Sequence, residues 1–431
     1  MFLSKTKLKT GLLLLAVLFT AASCGGGGGG GQAVELVWWK PFDDPRFIEP
    51  LIQEFQKTHP NVRVKYVQKN IETYEDEVLQ ALAAGNGPDI FSIRNDWLPK
   101  HQDKLVPAGA TGPGLREFKE QFASVASADL LASDKVYAVP LSVDVLALYY
   151  NRDLLSSAGV ARPPATWEEL VAMTPKLTRQ DAFGNFTKSA AAMGTSGNVN
   201  RAPDLLGLLM LQNGTPFYSP AATGGSIDQQ ISDGKSQSYS PGERALQFYT
   251  QFANPAKVTY TWNARSNNSV EAFGAGQVAM VLSYSYLRDQ LADRAPFLNY
   301  AVAPAPQISL EGTRVNYANY WAEAVAKQGK HQDAAWQFLK FISQKDVLKK
   351  YYEAQKAPSS RIDLLEEQQS DPAIGVFAES ALSARSFYKP DSAAVESIFV
   401  QAIDDVTLKS VSPAEAIKAA GQKMRLLLRN F

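Results

Sequence analysis

Strand and helix signals alternate near the start of the chain, and this alternation restricts the possible folds more than any other feature. Residues 34–39, 62–68 and 89–93 are short runs rich in β-branched, aromatic or apolar side chains. Asp44, followed directly by proline, provides an N-cap for a helix whose apolar residues then recur with a helical period. A second helical pattern covers 74–85 and ends in glycine. This order predicts an α/β lobe built on a largely parallel sheet.

Sequence patterns in the rest of the chain predict further helices and strands, and the length of the chain predicts more than one hydrophobic core. Ser/Thr-x-x-Glu capping boxes at 166–169, 240–243 and 412–415 mark helix starts. The apolar runs 277–285 and 299–306 are typical of strands. Without its first residues the chain still has about 400 residues, more than a single hydrophobic core usually organises. We therefore expect at least two lobes.

The N-terminal segment has the layout of an export signal. Lysines precede an almost wholly apolar run from Gly11 to Ala22. At roughly 12 residues this run is shorter than the ~20 that a membrane-spanning helix needs. We expect residues 1–23 to be a signal peptide and the protein to be exported.

The only cysteine of the chain, Cys24, directly follows this signal and precedes seven glycines. Ala21-Ala22-Ser23-Cys24 resembles the end of a bacterial lipoprotein signal, although leucine is commoner where Ala21 stands. A free buried thiol is the alternative, but glycines give a thiol nothing to pack against. We expect a lipid on Cys24, with residues 24–33 as a flexible tether of roughly 15 Å to the membrane.

Composition excludes several other classes of protein. Lys+Arg and Asp+Glu are 43 each, so the chain lacks the basic surplus that nucleic-acid binding relies on. The three histidines form no metal-ligand pattern, and Gly194 to Asn198 departs from the G-x-S-x-G nucleophile motif. We predict no catalytic residue, no metal and no cofactor. Two carboxylates brought together by folding could still form a glycoside hydrolase site, which the sequence leaves open.

Aromatic residues stand beside polar groups where the predicted strands end, and these positions are the candidate binding residues. In open α/β sheets, ligands lie beyond the carboxyl ends of the strands. Aromatic faces together with carboxylate or amide groups suit a sugar, whose C–H face packs on a ring while its hydroxyls form hydrogen bonds. Any one of these rings could instead be a core residue, but the set favours binding. Its members are Trp39, Lys40, Asp96, Trp97, Asp144, Tyr284, Tyr286 and Trp321.

The order of several motifs resembles that of the family 1 extracellular solute-binding proteins, which supply ABC importers and include the maltose-binding protein. The resemblance extends from Val34 to Phe431 and departs from the family at Asp134-Lys135, where a Gly-Lys turn is usual. Its main motifs are "AAGNGPDIF" (83–91), "VYAVPLSVDVLALYYNRDLLSSAG" (136–159), "PPATWEEL" (163–170), "AFGAGQVAM" (272–280), "AEAVAKQGKHQDAAWQFLKFI" (322–342) and "YYEAQKAPSSR" (351–361).

The resemblance implies an α/β, two-lobed periplasmic-binding-protein fold of type II-like topology, with a hinge and an interlobe cleft. We expect an N-terminal lobe of 34–141 plus 303–352 and a C-terminal lobe of 142–302 plus 353–431. By position in the motifs, the cleft would receive the residues named above, together with Asn200, Arg201 and, less directly, Trp262.

The resemblance also implies a function. We expect a monomeric, lipid-anchored receptor on the extracytoplasmic side of the membrane that is not an enzyme. It would bind a small polar solute, best a sugar or oligosaccharide, and deliver it to the membrane subunits of an ABC importer. A phosphorylated solute held by Lys40 and Arg201, or a cationic one held by Asp96 and Asp144, is the alternative within this class. A surface glycoside hydrolase that uses two cleft carboxylates is the alternative outside it.

Overall fold

The computed structural model describes residues 33–219, 225–232 and 237–429. The predicted signal peptide, Cys24 and all but the last residue of the predicted tether lie outside these ranges. Within them, no helix combines the length and the apolar character needed to cross a bilayer.

The strands are mostly short and fall into two larger sheets and three two-stranded ones. In chain order they are β1 (Val34–Lys40), β2 (Val62–Gln68), β3 (Ile90–Arg94), β4 (Leu131–Ala132), β5 (Lys135–Val136), β6 (Ala138–Pro140), β7 (Ala147–Asn151), β8 (Arg179–Gln180), β9 (Phe186–Ala191), β10 (Ile231–Ser232), β11 (Ser238–Tyr239), β12 (Val278–Ser283), β13 (Tyr300–Pro304), β14 (Asn316–Tyr317), β15 (Trp321–Val325) and β16 (Ala384–Arg385).

Helices connect these strands and cover the sheets. In chain order they are α1 (Pro45–Thr58), α2 (Tyr74–Ala83), α3 (Leu98–His101), α4 (Leu115–Gln121), α5 (Ser124–Leu130), α6 (Arg152–Ser157), α7 (Trp167–Leu177), α8 (Ala202–Gln212), α9 (Pro241–Thr250), α10 (Ser269–Gly274), α11 (Leu287–Arg294), α12 (Gln332–Ile342), α13 (Lys345–Gln355), α14 (Ile362–Gln368), α15 (Gly375–Ala381), α16 (Ser392–Thr407) and α17 (Pro413–Leu428).

The first lobe is built on a five-stranded sheet in the order β2-β1-β3-β15-β6. The strands β1, β2 and β3 are parallel, as the alternating pattern predicts, whereas β15 is antiparallel to both of its neighbours. The predicted start of α1 is confirmed: the Asp44 side chain accepts a hydrogen bond from the Arg46 backbone N–H. Ile48, Leu51 and Phe55 are buried on one face of α1. This face packs α1 into the core of the lobe.

The second lobe is built on a mixed five-stranded sheet in the order β13-β7-β12-β9-β8. β12 is antiparallel to β7 and parallel to β9, so the carboxyl end of β12 points the same way as that of β9. The three predicted helix starts are confirmed, because Thr166, Ser240 and Ser412 each accept a hydrogen bond from the backbone N–H three residues later. They fix the starts of α7, α9 and α17.

The chain passes between the lobes in three segments that lie side by side. Isolated bridges join Ser142 to Ser359 and Val145 to Ala318. The backbone N–H of Leu146 also donates to the carbonyl of Tyr317 at 3.0 Å. Because each segment is short and bonded to its neighbour, the three together form a narrow hinge.

The departure from the family at Asp134-Lys135 has a local explanation. Ser133 and Asp134 connect β4 to β5 with φ angles of 48° and 57°. This left-handed region is the one in which glycine is favoured. The turn therefore forms without glycine, at a cost in backbone strain that stays local.

Candidate functional site

A cavity of about 810 Å³ lies between the two lobes beside the hinge. Its walls come from the carboxyl ends of β1, β3 and β12, from the start of β15 and from the crossing segments. The lining residues on which the argument below depends are Lys40, Phe42, Ile71, Trp97, Asp144, Arg201, Tyr284, Tyr286, Asn319 and Trp321.

Trp321, the first residue of β15, is the centre of an aromatic cluster on the first-lobe wall. The rings of Trp97, Phe42 and Tyr74 meet it edge to face, with centroids at 5.3, 5.5 and 5.8 Å respectively. The Tyr74 hydroxyl donates to the Ser92 carbonyl at 2.8 Å, which anchors the cluster to β3. Phe42 is 52% exposed. The cluster therefore offers a rigid apolar surface to the cavity.

Two tyrosines after β12 form the facing wall in the second lobe. The rings of Tyr284 and Tyr286 are stacked with centroids 6.1 Å apart. Tyr284 is buried and donates its hydroxyl to Asp204 at 2.7 Å, whereas Tyr286 is 40% exposed and contacts Asn200. Aromatic surface therefore lies on both sides of the cavity.

Lys40 lines the cavity, but its ammonium is already paired. It lies 2.5 Å from a carboxylate oxygen of Glu323 and 3.1 Å from one of Asp43. Glu323 also accepts hydrogen bonds from the Trp38 indole and the Ser92 hydroxyl. Burial alone would lower the pKa of Lys40, yet Asp43 and Glu323 raise it well above the ordinary value. The charge of the Lys40 ammonium is therefore already balanced within the protein, and its contact with a ligand stays a prediction.

Arg201 has the same kind of partner. Its Nε donates to Asp204 at 2.7 Å, and the same carboxylate accepts the Tyr284 hydroxyl. The backbone of Arg201 has a φ of 58°, which an arginine rarely adopts. The left-handed turn and the hydrogen bond from Nε hold the guanidinium against α8, and Asp204 balances its charge, while Nη2 makes no hydrogen bond.

Asp96 takes part in an ion pair between the lobes instead of facing the cavity. Its carboxylate lies 2.8 Å from the Lys389 ammonium, and both side chains are almost fully buried. Burial alone would raise the pKa of Asp96, but Arg94 and Lys389 bring it down to about 2. Arg94 in turn pairs with Glu396 of α16 at 2.8 Å. These two pairs join the end of β3 to the second lobe.

Asp144 lies on the first crossing segment and faces the cavity. It accepts hydrogen bonds from the Ser285 backbone N–H and hydroxyl and from the Val145 N–H. Burial raises the pKa of Asp144 to about 6 despite these bonds. A carboxyl group of the hinge therefore contacts the second lobe directly at the cavity wall.

The structure brings most of the sequence-predicted residues to this one cavity, and their contact with a ligand stays a prediction. Two tryptophans lie elsewhere. Trp39 points to the opposite face of β1 from Trp38 and Lys40, where the Lys69 ammonium lies 3.9 Å from its ring centroid. Trp262 is buried inside the second lobe and donates to Asn198. For these two, the position at a cavity wall that the sequence suggested is wrong.

Asn200 lies next to the cavity, without lining it in this structure, and contacts Tyr286. The residues that the sequence analysis missed are mainly apolar or acidic: Phe42, Ile71, Glu72, Asp76 and Asp289. For Phe42 a signal existed, since it follows β1 closely and is aromatic. Nothing local distinguishes the others, because only the arrangement of the lobes brings them to the cavity.

A family model described as "Bacterial extracellular solute-binding protein" matches residues 40–349. The chain belongs to this family. Solute-binding proteins of this family are exported, in agreement with the prediction from the N-terminal segment.

Individual relatives of this solute-binding protein span most of its length. A putative binding protein of Brucella abortus is 25% identical over 307 residues, or 71% of this chain and 70% of the relative. The sn-glycerol-3-phosphate-binding periplasmic protein of Salmonella paratyphi A is 24% identical over 307 residues, or 68% of this chain and 66% of the relative.

A solved structure has the same two-lobed fold. The cyclic α-maltosyl-1,6-maltose binding protein of Arthrobacter globiformis superposes with a TM-score of 0.75 at 18% identity, over 93% of this chain and all of that one. The α/β, two-lobed architecture of this solute-binding protein is thereby confirmed.

The stability of the solute-binding protein should depend on pH through Asp144. Its pKa is about 6 in the folded chain against an ordinary 3.8, so between these values the folded chain holds a proton that the unfolded chain has released. Stability therefore falls as pH rises through this window. Because the residue is partly exposed, the effect should be about 1–2 kcal/mol, less than the full shift would give.

Asp144→Asn removes this titration and keeps the shape of the side chain. From pH 4 to pH 7 the free energy of unfolding of the variant should rise relative to that of the wild type, as measured by urea denaturation. Above pH 7 the two curves should run parallel, which serves as the internal control. Parallel curves over the whole range would contradict the assignment.

Proposed function

We propose that this protein is a receptor for a carbohydrate, most suitably an oligosaccharide, which it binds between its lobes and passes to an ABC importer without chemical change. The observation that carries the proposal is the interlobe cavity, with the Trp321 cluster on one wall and Tyr286 on the other.

The chemistry of the cavity suits a sugar ring. The exposed rings of Phe42 and Tyr286 can pack against C–H faces, which are apolar on one side of a pyranose. Asp144 and Asn319 lie on the crossing segments between these rings and can accept or donate hydrogen bonds to hydroxyl groups. A cavity of about 810 Å³ has room for more than one sugar unit, because pockets for drug-sized ligands are roughly 300–1,000 Å³.

The comparisons include a protein named for a carbohydrate and one named for a phosphorylated solute. The Arthrobacter neighbour is named for a cyclic maltosyl-maltose ligand, and its fold matches over nearly all of this chain. The Salmonella relative is named for a glycerol phosphate, so the family also contains proteins for phosphorylated solutes. Sequence identities near 20% do not show that two proteins bind the same ligand. The choice between a carbohydrate and a phosphorylated solute therefore rests on the cavity itself.

The mechanism is a shift in the population of lobe arrangements. A ligand that contacts Trp321 in one lobe and Tyr286 in the other makes both sets of contacts only when the lobes are close together. Its binding energy therefore favours the closed arrangement. The three short crossing segments permit this movement because few backbone bonds connect the lobes at the hinge. The importer would then recognise the closed shape.

The proposed location is the extracytoplasmic side of a membrane, on its periplasmic face or at the cell surface, with Cys24 as the lipid-bearing residue and a single chain as the working unit. The export signal and the glycine run behind Cys24 support this proposal. Detergent phase partitioning of the wild-type chain and of a Cys24→Ser variant tests it, since only the wild type should enter the detergent phase.

A thermal-shift screen against neutral oligosaccharides tests the function. A ligand at 100 times its Kd stabilises the folded state by about 2.7 kcal/mol, which should raise the Tm by several degrees. Chromatography of the same samples should recover every sugar intact, because the proposal includes no bond cleavage. Released reducing ends would favour the glycoside hydrolase, and no shift with any carbohydrate would contradict the proposed function.

A further inference from the structure

Three basic side chains of the cavity wall, Lys40, Arg94 and Arg201, are paired with carboxylates. Lys40 is paired with Glu323 and Asp43, as described above. Arg94 is paired with Glu396 at 2.8 Å, and Arg201 with Asp204 at 2.6 Å. The charges of Lys40, Arg94 and Arg201 are therefore balanced by carboxylates of the protein, although Arg94 Nε and Arg201 Nη2 make no hydrogen bond.

The rim of the cavity carries the opposite charge. In the first lobe, Glu72 lies just before α2 and Asp76 in its first turn; in the second lobe, Asp289 lies on α11. All three are exposed and, among the residues that the structure describes, make no ion pair. Lys356 on the same rim is also exposed and has no carboxylate partner in the described part of the chain. Carboxylates thus outnumber ammonium groups around the entrance from both lobes.

These two observations have one consequence for a ligand. An anion that enters the cavity loses its water and, among the described lining residues, meets one unpaired cation, Lys356, against the unpaired carboxylates Glu72, Asp76 and Asp289, which is costly for a negatively charged group. A cleft lined by charge of one sign also focuses the field and disfavours a ligand of the same sign. Uncharged hydroxyl groups avoid both penalties, and an ammonium group gains attraction to the carboxylates in return for the water that it loses.

We propose that this charge arrangement makes the cleft exclude anion-bearing solutes and admit uncharged and amine-bearing ones. This specificity rests on the proposed carbohydrate function for the class of solute. It separates this protein from relatives that bind phosphorylated solutes, because the ammonium of Lys40 and the guanidinium of Arg201 are neutralised inside the protein.

Three nearly isosteric forms of the sugar with the largest thermal shift provide the first test: the parent with its primary hydroxyl, the uronate, and the 6-amino-6-deoxy derivative. Titration calorimetry should show the uronate at least tenfold weaker than the parent and the amine as tight or tighter. The difference should shrink in 0.5 M NaCl, because the rim charges are screened. A uronate that binds as tightly as the parent would overturn the proposal.

The double variant Asp76→Lys/Asp289→Lys changes only exposed rim residues. It should bind the uronate at least threefold tighter than the wild type does, with little change for the uncharged parent. The matched control is a double variant of two exposed residues away from the cavity, Glu311→Lys/Glu353→Lys. It has the same net charge as the rim variant and should leave the ratio of uronate affinity to parent-sugar affinity at its wild-type value.

A ligand-free measurement distinguishes a failure of this inference from a failure of the carbohydrate function. Trp321 fluorescence, taken as the difference between the wild type and Trp321→Phe, can be quenched with iodide or with caesium. Relative to N-acetyltryptophanamide, caesium should quench Trp321 more effectively than iodide, and the rim variant should reverse this order. Equal or stronger quenching by iodide in the wild type would contradict the charge inference whether or not any sugar binds.

Discussion

Replacing Trp321 with alanine should weaken carbohydrate binding by about 30- to 1,000-fold, which corresponds to about 2–4 kcal/mol for a central aromatic residue of a binding site. Trp321 contacts the rings of Phe42, Tyr74 and Trp97, so its removal takes away the centre of the first-lobe wall. The remaining rings would then lose the packing that holds them in place. Calorimetric titration with the sugar selected by the thermal-shift screen measures the effect.

Two control variants make this result specific. Trp321→Phe keeps an aromatic face on β15 and should recover most of the affinity. Trp39→Ala removes another half-buried tryptophan of the same lobe, whose ring lies under Lys69 and away from the cavity. It should leave the affinity within about threefold of the wild type, since it removes no wall residue. Equal losses in Trp39→Ala and Trp321→Ala would show a general effect on the lobe.

Replacing Glu323 with alanine should lower the free energy of unfolding by about 3–5 kcal/mol, the range for removing one member of a buried ion pair. Glu323 is fully buried and accepts hydrogen bonds from Trp38, Lys40 and Ser92. Without it, the Lys40 ammonium keeps only Asp43 as a charged partner inside the lobe. Guanidinium denaturation followed by tryptophan fluorescence measures the loss.

A surface ion pair with a similar nitrogen–oxygen distance provides the matched control. Glu379 pairs with Arg314 at 2.8 Å, and both side chains are about half exposed. Glu379→Ala should therefore cost less than about 1 kcal/mol. The double variant Lys40→Met/Glu323→Gln should recover part of the loss, because it leaves no unbalanced buried charge. A loss in Glu323→Ala no greater than that in Glu379→Ala would contradict the importance of the buried network.

The Glu323 network connects the stability of the first lobe to the site. Trp321 and Glu323 are two residues apart on β15 and project from the same face of the sheet. Trp321 lies at the cavity, whereas Glu323 is buried and bonded to Ser92 of β3 and to Trp38 and Lys40 of β1. The same short strand thus holds the proposed sugar platform and the carboxylate that neutralises Lys40. Binding and charge selection therefore both depend on β15, the strand with which the chain re-enters the first lobe after its second crossing.

Much of the local structure could be predicted from the sequence. The N-caps at Asp44, Thr166, Ser240 and Ser412 lie where their side chains indicate, because these bonds involve residues only two or three positions apart. The parallel pairing of β1, β2 and β3 also follows from the alternation of strands and helices. Such features depend on residues that are close together in the chain and on the regular spacing of hydrophobic residues.

The charge state and orientation of the site could not be predicted in this way. Lys40 and Arg201 were reasonable anion ligands on sequence grounds, but Lys40 meets Glu323, which lies far along the chain. Arg201 meets Asp204 only because the left-handed turn before α8 directs it there. Trp39 and Trp262 show the same limit, since strand alternation and burial in the second lobe direct their rings away from the cavity.

The sequence by itself determined the α/β class, the helix starts and the presence of aromatic residues at strand ends, because each depends on composition or on residues close together in the chain. The tertiary structure decided which of those aromatic residues face one another and which charges are neutralised. It did so because the wall of the cavity combines β1, β3, β12, β15 and the crossing segments, and because a charge in a protein interior is defined by partners that folding brings from distant positions.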